Sequence, residues 1–216
     1  MKKKLLAMVL TLALLPVISL SAGALEPQDF AGGSLSGLAA DKNALLVTDT
    51  FNKIIWRVEN GAVTRWAGKP GVADLHGEPS GAYVDAKLDE ARFMEPWAIA
   101  PYLDGYAVTD TAANVVRYVD GKTVRTVAGS GKRGQTNGSG ATVSFARPTG
   151  LAAGADGELY IADTDNGLIR RLDKQGKVTT WASGLEEPTG LCWANGVLYV
   201  AETGRSRICK IVNGTV

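Results

Sequence analysis

Residues 159–171 read L-Y-I-A-D-T-D-N-G-L-I-R-R, and the interpretation of the whole chain depends on this stretch. Two short apolar runs flank a polar turn that contains Asn166 and Gly167. Apolar runs on either side of an Asn-Gly turn are typical of a β-hairpin. The stretch therefore predicts two antiparallel strands joined by a tight turn.

The same hairpin pattern occurs three more times along the chain. In each copy, an apolar run ends in an acidic residue, and a short turn leads to a second apolar run that carries a basic residue. The acidic residues are Asp49, Asp110, Asp163 and Glu202. Their unequal spacing indicates one supersecondary unit copied four times, with insertions in the connecting segments.

Two further strand-like runs flank each hairpin. In the third copy these are 148–151 (P-T-G-L) before it and 178–184 (V-T-T-W-A-S-G) after it. Four short strands with turns between them predict one blade of a β-propeller. The four repeats cover about residues 36–68, 96–129, 148–184 and 187–216.

The combined pattern closely resembles the NHL repeat: P-x-G-[IL]-A, L-[YV]-[VI]-A-D-T, N-x-[IV]-[IV]-R, then V-T-x-[WV]-A-G. The third copy matches best, whereas Ala112 and Ala113 replace the polar turn of the second, and Glu202 replaces aspartate in the fourth. The resemblance covers about residues 30–216 and implies an all-β propeller of four-stranded NHL-type blades. It implies little about function, because one fold serves many functions.

The number of repeats leaves two hypotheses for closure. NHL-type propellers usually have six blades, and this chain encodes about four. A four-bladed ring would close with residues 25–32, in which Phe30-Ala31-Gly32 resembles the end of a fourth strand, beside 207–212. We favour an open arc, an incomplete part of a six-bladed propeller. An open arc exposes apolar faces and strand edges, so it also predicts self-association.

Residues 1–24 have the composition of a signal peptide. Three lysines follow Met1, an apolar run covers 5–20, and Ala22-Gly23-Ala24 matches the A-x-A cleavage pattern. The alternative is an uncleaved anchor, but the run is short for a membrane span. We expect residues 25–216 to be a bacterial propeller domain that is secreted, periplasmic or cell-wall associated, with no stable membrane span after cleavage.

The overall composition argues against a nucleic-acid partner. The chain has 216 residues, 26 glycines and a formal net charge of +1. The glycines suit a turn-rich all-β domain, and the near-neutral charge lacks the basic excess of nucleic-acid binders. The glycine-rich loop 129–134 does not match the phosphate-binding G-x-x-x-x-G-K-[ST] pattern, so we expect no cofactor.

The two cysteines are predicted not to be bonded to each other. Cys192 falls on the first strand and Cys209 on the third strand of the last repeat, with the second strand between them. Two strand spacings separate their backbones by about 9–10 Å, whereas a disulfide needs Cα atoms within about 7 Å.

The repeated carboxylates allow two interpretations. Asp49, Asp110, Asp163 and Glu202 could ring a central cation, or each could accept backbone N–H bonds in its own turn. We favour the structural role, because the second strand of a blade is not its innermost strand. Basic residues of the third strands are predicted to point outward or to bridge blades; they are Arg57, Arg117, Arg170, Arg171 and Lys210. Trp66 and Trp181 are predicted to pack between blades.

The insertions 69–95 and 130–147 are predicted to build one loop face of the propeller. Residues 85–93 are expected to form one or two helical turns. Loops on a rigid scaffold often carry function, so this face is the predicted site for a protein, peptide or glycan ligand. Candidate ligand-binding residues lie where the chain enters each blade, and they are Trp97, Arg147, Thr149 and Thr189.

The alternative function is a metal-assisted hydrolase or lactonase of the gluconolactonase-like propeller type. Such an enzyme needs Glu, Asp or Asn at the channel mouth. Glu95, Glu187 and Asp104 are available, but no spacing singles them out. His76 is the only histidine, which excludes a zinc site built from several histidines of one chain. We therefore assign no catalytic and no metal-binding residue.

Overall fold

The computed structural model describes Phe30 and residues 33–216. These residues form four antiparallel sheets, each made of consecutive strands. The predicted signal peptide, residues 1–24, lies outside the described part of the chain.

Blade 1 is the sheet β1–β2–β3–β4, and blade 2 is the sheet β6–β7–β8–β9 with a short fifth strand, β5, added to the edge of β9. The strands of blade 1 are Leu35–Asp41, Ala44–Asp49, Ile54–Glu59 and Ala62–Ala67. Those of blade 2, from β5 to β9, are Ala86–Lys87, Pro96–Tyr102, Gly105–Asp110, Val115–Val119 and Thr123–Ala128.

Blade 3 repeats the plan of blade 2, with β10 added to the edge of β14, whereas blade 4 has three strands in the described part of the chain. The strands of blade 3, from β10 to β14, are Gly138–Ser139, Pro148–Ala153, Leu159–Asp163, Leu168–Leu172 and Lys177–Ala182. Blade 4 consists of β15, β16 and β17, which are Pro188–Ala194, Val197–Glu202 and Arg207–Ile211.

Tight turns set the strand pairing within the blades. Asn60-Gly61 joins β3 to β4 and Asn195-Gly196 joins β15 to β16, and all four residues have positive φ. A two-residue turn of this type matches the twist of an antiparallel hairpin. The hairpin of residues 159–171 instead turns through a short 3-10 segment, Thr164–Asn166, that ends at Gly167 in the left-handed conformation.

The first strands of the blades lie innermost, because β1, β6, β11 and β15 pack against one another in chain order. Hydroxyl groups also tie neighbouring blades together. Thr48 Oγ1 donates to the carbonyl of Trp97 at 2.6 Å, and Thr109 Oγ1 donates to that of Thr149 at 2.6 Å. Four blades arranged around their inner strands make the chain a β-propeller, as predicted.

The apolar core consists of layers between consecutive blades. Alternate strand residues point to the two faces of a blade, so each blade contributes to two layers. Trp66 packs edge-on against Tyr106 of blade 2 at 6.0 Å, and Trp181 against Trp193 of blade 4 at 6.5 Å. The prediction that these two tryptophans pack between blades is confirmed.

Blades 1 and 4 form the two ends of the arrangement. Within residues 33–216 they share no apolar cluster and no hydrogen bond. Phe30 lies against Val47 and Val58 of blade 1. The described residues therefore form an open arc of four blades. Apart from Phe30, the segment 25–32 that the ring hypothesis places beside 207–212 lies outside the described residues.

Two local predictions have different outcomes. Of the helical turns predicted over 85–93, one hydrogen-bonded turn is present, in which the Lys87 carbonyl accepts from Glu90 and Ala91, and the strand β5 precedes it. Asp85, expected to cap a helix, instead accepts the backbone N–H of Thr126 at 2.9 Å. The prediction for the cysteines is confirmed, since Cys192 and Cys209 are free and β16 lies between their strands.

Candidate functional site

The four repeated carboxylates lie where the chain enters each blade. All four are fully buried, and each accepts a hydrogen bond from a backbone N–H of the linker that enters its own blade. The donor and acceptor pairs are Ser34–Asp49 (3.0 Å), Glu95–Asp110 (2.7 Å), Ala146–Asp163 (2.7 Å) and Glu186–Glu202 (2.8 Å). Among the described residues, only Asp49 also accepts a backbone N–H from its own turn, that of Asn52 at 3.0 Å. The other three carboxylates take their backbone donor from the preceding linker and not, as predicted, from their own turn.

Each carboxylate also has a donor on or beside the third strand of its blade. The pairs are Trp56–Asp49 (2.9 Å), Arg117–Asp110 (3.3 Å), Arg170–Asp163 (2.7 Å) and Arg207–Glu202 (2.6 Å). Arg117 and Arg170 are completely buried and bond to the insertion before their own blade, so the prediction that they point outward or bridge blades is wrong for these two. Arg171 follows Arg170 on its strand, and Lys210 holds the equivalent position in blade 4. Both of these side chains are exposed.

Arg117 fixes the first insertion against blade 2. Its guanidinium donates to the carbonyls of Val84 and Arg92, both at 3.0 Å, and to Asp85 Oδ1 at 2.7 Å. The guanidinium carbon lies 5.2 Å from the centre of the Phe93 ring. Charge-assisted hydrogen bonds of this kind are strong in a buried setting. The insertion is therefore held in one position and does not hang free.

Arg170 performs the same task for the second insertion. It donates to the carbonyls of Thr136 and Ser144 at 3.0 and 3.2 Å, and to Asn137 Oδ1 at 2.8 Å. Its guanidinium carbon lies 5.3 Å from the ring centre of Phe145. Sequence reasoning missed this equivalence. The signal was present as a repeated F-x-x-P, residues 93–96 and 145–148, together with the arginine on the third strand.

Burial and hydrogen bonding act in opposite directions on these carboxyl groups. Burial raises the pKa of Asp110 and of Asp163, against the hydrogen bonds and arginine charges that favour the carboxylate. Burial also works to raise the pKa of Glu202, but hydrogen bonds from Arg207 and Glu186 outweigh it, and this pKa is lowered. Glu202 differs because it lies less deep in the protein than Asp110 and Asp163, and because two arginines, Arg205 and Arg207, face it.

The predicted ligand-binding residues have different environments. Trp97 is half-buried and belongs to none of the apolar clusters among the described residues. The Arg147 side chain is 52% exposed and lies 3.9 Å from Asp165. Thr149 is 2% exposed, with its hydroxyl 2.7 Å from that of Thr164, so no ligand can reach it in this conformation. Thr189 is partly exposed beside the same threonine pair.

An open cleft of about 370 Å³ lies on the loop face between blades 3 and 4. It is lined mainly by polar and charged residues, namely Arg133, Thr164, Asp165, Asn166, Gly167, Leu185, Glu186 and Glu187. Arg133 bonds to Asp165 at 2.6 Å, and Arg147 approaches the same carboxylate. Of the predicted residues, Arg147 adjoins this cleft, whereas Trp97 enters blade 2 and does not line it.

The residues of the alternative hydrolase hypothesis do not meet in one place. Glu95 precedes β6 and Asp104 follows it, and the seven residues of that strand span roughly 20 Å. In the described part of the chain, no three His, Cys, Asp or Glu side chains are grouped closely enough to hold a metal ion. No helix in this part of the chain has the length and apolar character needed to cross a membrane.

The sheets and their arrangement define the class of protein: a β-propeller with buried carboxylates at the entrance to each blade. Residues 145–172, which include the Phe145, Asp163 and Arg170 cluster, match the family model of the NHL repeat. The described residues thus form a β-propeller, and one of its repeats matches the NHL repeat.

One curated protein shares significant sequence similarity with part of the chain. It is Protein SUPPRESSOR OF QUENCHING 1, chloroplastic, from Arabidopsis thaliana, which is 35% identical over 108 residues. The alignment covers 46% of this chain and 10% of that protein. The similarity therefore concerns one segment of a much longer relative.

Solved structures share the propeller fold. A protein of unknown function from Bacteroides thetaiotaomicron has a TM-score of 0.65 at 21% identity, with 86% of this chain and 48% of that one covered. A streptogramin B lyase has a TM-score of 0.59 at 16% identity, with 85% of this chain and 53% of that one covered. An auxiliary nutrient binding protein from Bacteroides ovatus has a TM-score of 0.53 at 17% identity, with 83% of this chain and 59% of that one covered. The chain spans about half the length of the first two, and these identities support the fold alone.

Proposed function

We propose that this chain is an exported NHL-repeat scaffold that binds a peptide, protein or glycan on its loop face. The observation that carries the proposal is the fixed position of the two insertions. Arg117 and Arg170 anchor them through buried hydrogen bonds, so the loop face is preorganised. A preorganised surface loses less conformational entropy on binding than flexible loops do.

The cleft between blades 3 and 4 is the proposed centre of the binding surface. It places the charged groups of Arg133, Asp165 and Glu186 around Gly167. Groups of both signs suit a ligand with several hydrogen-bonding groups, such as a peptide or a sugar chain. Trp97 offers a separate aromatic surface at the entrance to blade 2, where a sugar or side chain can stack.

Export is part of the proposal and is supported by residues 1–24 alone. Their lysines, apolar run and A-x-A site are those of a bacterial signal peptide. The proposed location is the periplasm, the cell wall or the medium. A fusion of these residues to a reporter enzyme that is active only after export tests this part separately.

The binding proposal is tested by screening the purified protein against arrays of envelope glycans and peptides. Hits are then measured by calorimetry with the wild type and the Arg147→Ala and Trp97→Ala variants. Leu103→Ala is the matched control, because Leu103 is exposed at the opposite end of β6. We expect the loop-face variants to lose affinity while the control keeps it. An equal loss in Leu103→Ala, with all variants folded, would place binding elsewhere.

The metal-assisted hydrolase remains a distinguishable alternative, although no distance in the structure favours it. The likeness to a lyase is a likeness of fold only. Calcium-dependent hydrolysis of lactones by the wild type, lost in Glu95→Gln or Glu187→Gln, would replace the binding proposal with an enzymatic one.

A further inference from the structure

The cleft between blades 3 and 4 has opposite charges at equivalent positions on its two sides. Arg147 stands at the entrance to blade 3 and Glu187 at the entrance to blade 4, each directly before the proline that begins the inner strand. These inner strands, β11 and β15, pack against each other. Packed sheets lie about 10 Å apart, so the backbones that carry the two charges are separated by roughly that distance.

The other charged groups around the cleft are already paired. Arg133 bonds to Asp165 at 2.6 Å, and Arg205 lies 3.4 Å from Glu186. Within residues 33–216, by contrast, neither the Arg147 guanidinium nor the Glu187 carboxylate makes a hydrogen bond. The carboxylate nearest to Arg147 is that of Asp165, at 3.9 Å. One guanidinium and one carboxylate are therefore available to a ligand.

Both available groups are also in contact with water. The Arg147 side chain is 52% exposed, and Glu187 is exposed as well. Arg147 shows that this position stays exposed when another blade follows, because blade 4 packs next to blade 3. The exposure is thus a property of the position at the blade entrance.

The backbone at both positions is in an unfavourable conformation. Arg147 and Glu187 have φ values of +53° and +47°, although non-glycine residues seldom adopt positive φ and a residue before proline prefers an extended backbone. Hydrogen bonds hold both in place: the Arg147 N–H donates to Asn114 Oδ1 at 2.9 Å, and Thr203 Oγ1 donates to the Glu187 carbonyl at 2.7 Å. Glu95, which precedes the proline of blade 2, does not adopt this conformation. Backbone strain of this kind is common at ligand clamps.

The charge pattern selects among the possible ligands. A carboxylate at Glu187 repels a ligand that carries only negative charge, and a guanidinium at Arg147 repels one that carries only positive charge. A neutral sugar chain would take both groups out of water without pairing them, which costs free energy. An extended peptide advances about 3.3 Å per residue, so two side chains of opposite charge on one peptide can reach both groups.

We propose that this cleft binds an extended peptide segment with one acidic and one basic side chain about two or three residues apart. The acidic side chain bonds to the Arg147 guanidinium, which can donate two parallel hydrogen bonds to a carboxylate. The basic side chain bonds to the Glu187 carboxylate. This inference rests on the proposed function and narrows its ligand to a peptide of mixed charge.

The test uses short blocked peptides as probes and the purified full chain as the binder. Each mixed peptide contains one aspartate and one lysine, separated by zero to three glycines, in either order. The comparison peptides replace one or both charged residues by glycine. Binding is measured by NMR titration, which reports weak affinities. The best mixed peptide should bind about tenfold more tightly than its single-charge counterparts, and one order of the two charges should be preferred.

Charge exchange in the protein gives a sharper result. Arg147→Glu and Glu187→Arg should each weaken binding of the best mixed peptide by about tenfold or more. The double variant should bind again and prefer the reversed order of charges. Both residue types already adopt positive φ at these entrances, so the exchange leaves the backbone conformation accessible. Lys174→Glu is the matched control, because it reverses an exposed charge between β13 and β14, at the opposite end of blade 3, and it should bind like wild type.

The outcomes separate this inference from the broader proposal. Equal affinity for mixed and single-charge peptides, or a double variant that keeps the wild-type order preference, would overturn it. A glycan that binds wild type and loses affinity in Arg147→Ala, with no binding of mixed peptides, would overturn this inference and leave the proposed function standing. If neither peptides nor glycans respond to changes at Arg147 and Glu187, both are wrong.

Discussion

Replacing Arg170 by methionine tests whether the buried arginine holds the second insertion on blade 3. Arg170 is completely buried and bonds to Asp163, Asn137 and two backbone carbonyls. Methionine fills much of the same volume but offers no donor. The substitution leaves Asp163 as a buried carboxylate with fewer donors, and it leaves the insertion carbonyls without this partner.

The expected loss follows from the general cost of breaking a buried ion pair. Removal of one partner costs about 3–5 kcal/mol. For a domain of this size, each kcal/mol shifts the melting temperature by about 2–4 °C, so Arg170→Met should lower it by roughly 6–20 °C. Asp163 keeps hydrogen bonds from Ala146 and Asn166, which favours the lower half of this range. Calorimetry gives the melting temperature, and hydrogen exchange should show faster exchange over 134–145.

The neighbouring arginine supplies the control. Arg171 is exposed on the same strand, and Arg171→Met removes the same charge without touching the buried cluster. Its melting temperature should stay within about 2 °C of wild type, as for an ordinary surface substitution. If Arg170→Met is as stable as Arg171→Met, and exchange over the insertion is unchanged, the buried arginine is not what fixes this loop.

Three further predictions address the other parts of the molecule. Trp97→Ala should leave the melting temperature almost unchanged and lower loop-face affinity, because Trp97 lies outside the apolar layers; a large thermal loss with unchanged affinity would make it a core residue. Phe30→Ala should cost about 3–5 kcal/mol, measured by denaturant unfolding, because it removes a buried aromatic ring from blade 1. A cost under about 1 kcal/mol would mean that Phe30 does not anchor this end. Glu202 has a pKa below its ordinary value of 4.5, so its stabilising effect is present above pH 4.5 and is lost as the pH falls through its folded-state pKa. The melting-temperature difference between wild type and Glu202→Gln should therefore be largest at neutral pH and shrink in acid; a constant difference would contradict the lowered pKa.

The blades were predictable from sequence because local and repeated signals agreed. Apolar runs, a short turn and an acidic residue recur in the same order in the repeats. A repeat with a weak signal can therefore be assigned by comparison with the others. Even the spacing of Cys192 and Cys209 followed from strand order alone. The equivalent positions of Trp66 and Trp181 on the fourth strands of their repeats were enough to place both residues between blades.

The candidate site was harder to predict, because it depends on contacts between segments far apart in the chain. Asp85 looks like a helix cap when only its neighbours are considered, but it bonds to Arg117 and Thr126 on other strands. An arginine in an alternating strand is normally expected to face water. Arg170 is buried because the insertion folds over it, and nothing within the strand itself indicates that the insertion does so.

The arginine position on the third strand explains why the middle blades differ from the end blades. A guanidinium has five N–H donors, so burying it requires several acceptors. In blades 2 and 3 a long insertion supplies carbonyls and a side-chain oxygen for this purpose. The linker into blade 4 is short, and Cys209, which needs no acceptor, takes the position. Arg205 and Arg207 then reach Glu202 from the exposed side.

Blade 1 has a different residue at this third-strand position, and its hydrogen-bonding capacity is again satisfied. Trp56 occupies the arginine position and has a single N–H, which Asp49 accepts at 2.9 Å. The rest of the indole is apolar and packs edge-on against Phe30 at 6.3 Å. The residue at this position is therefore matched to the segment that precedes each blade: arginine below a polar insertion, tryptophan below Phe30, and cysteine where the linker is short. Because of this match, each blade entrance is a buried, hydrogen-bonded unit, and the differences between blades are concentrated on the loop face, where binding is proposed.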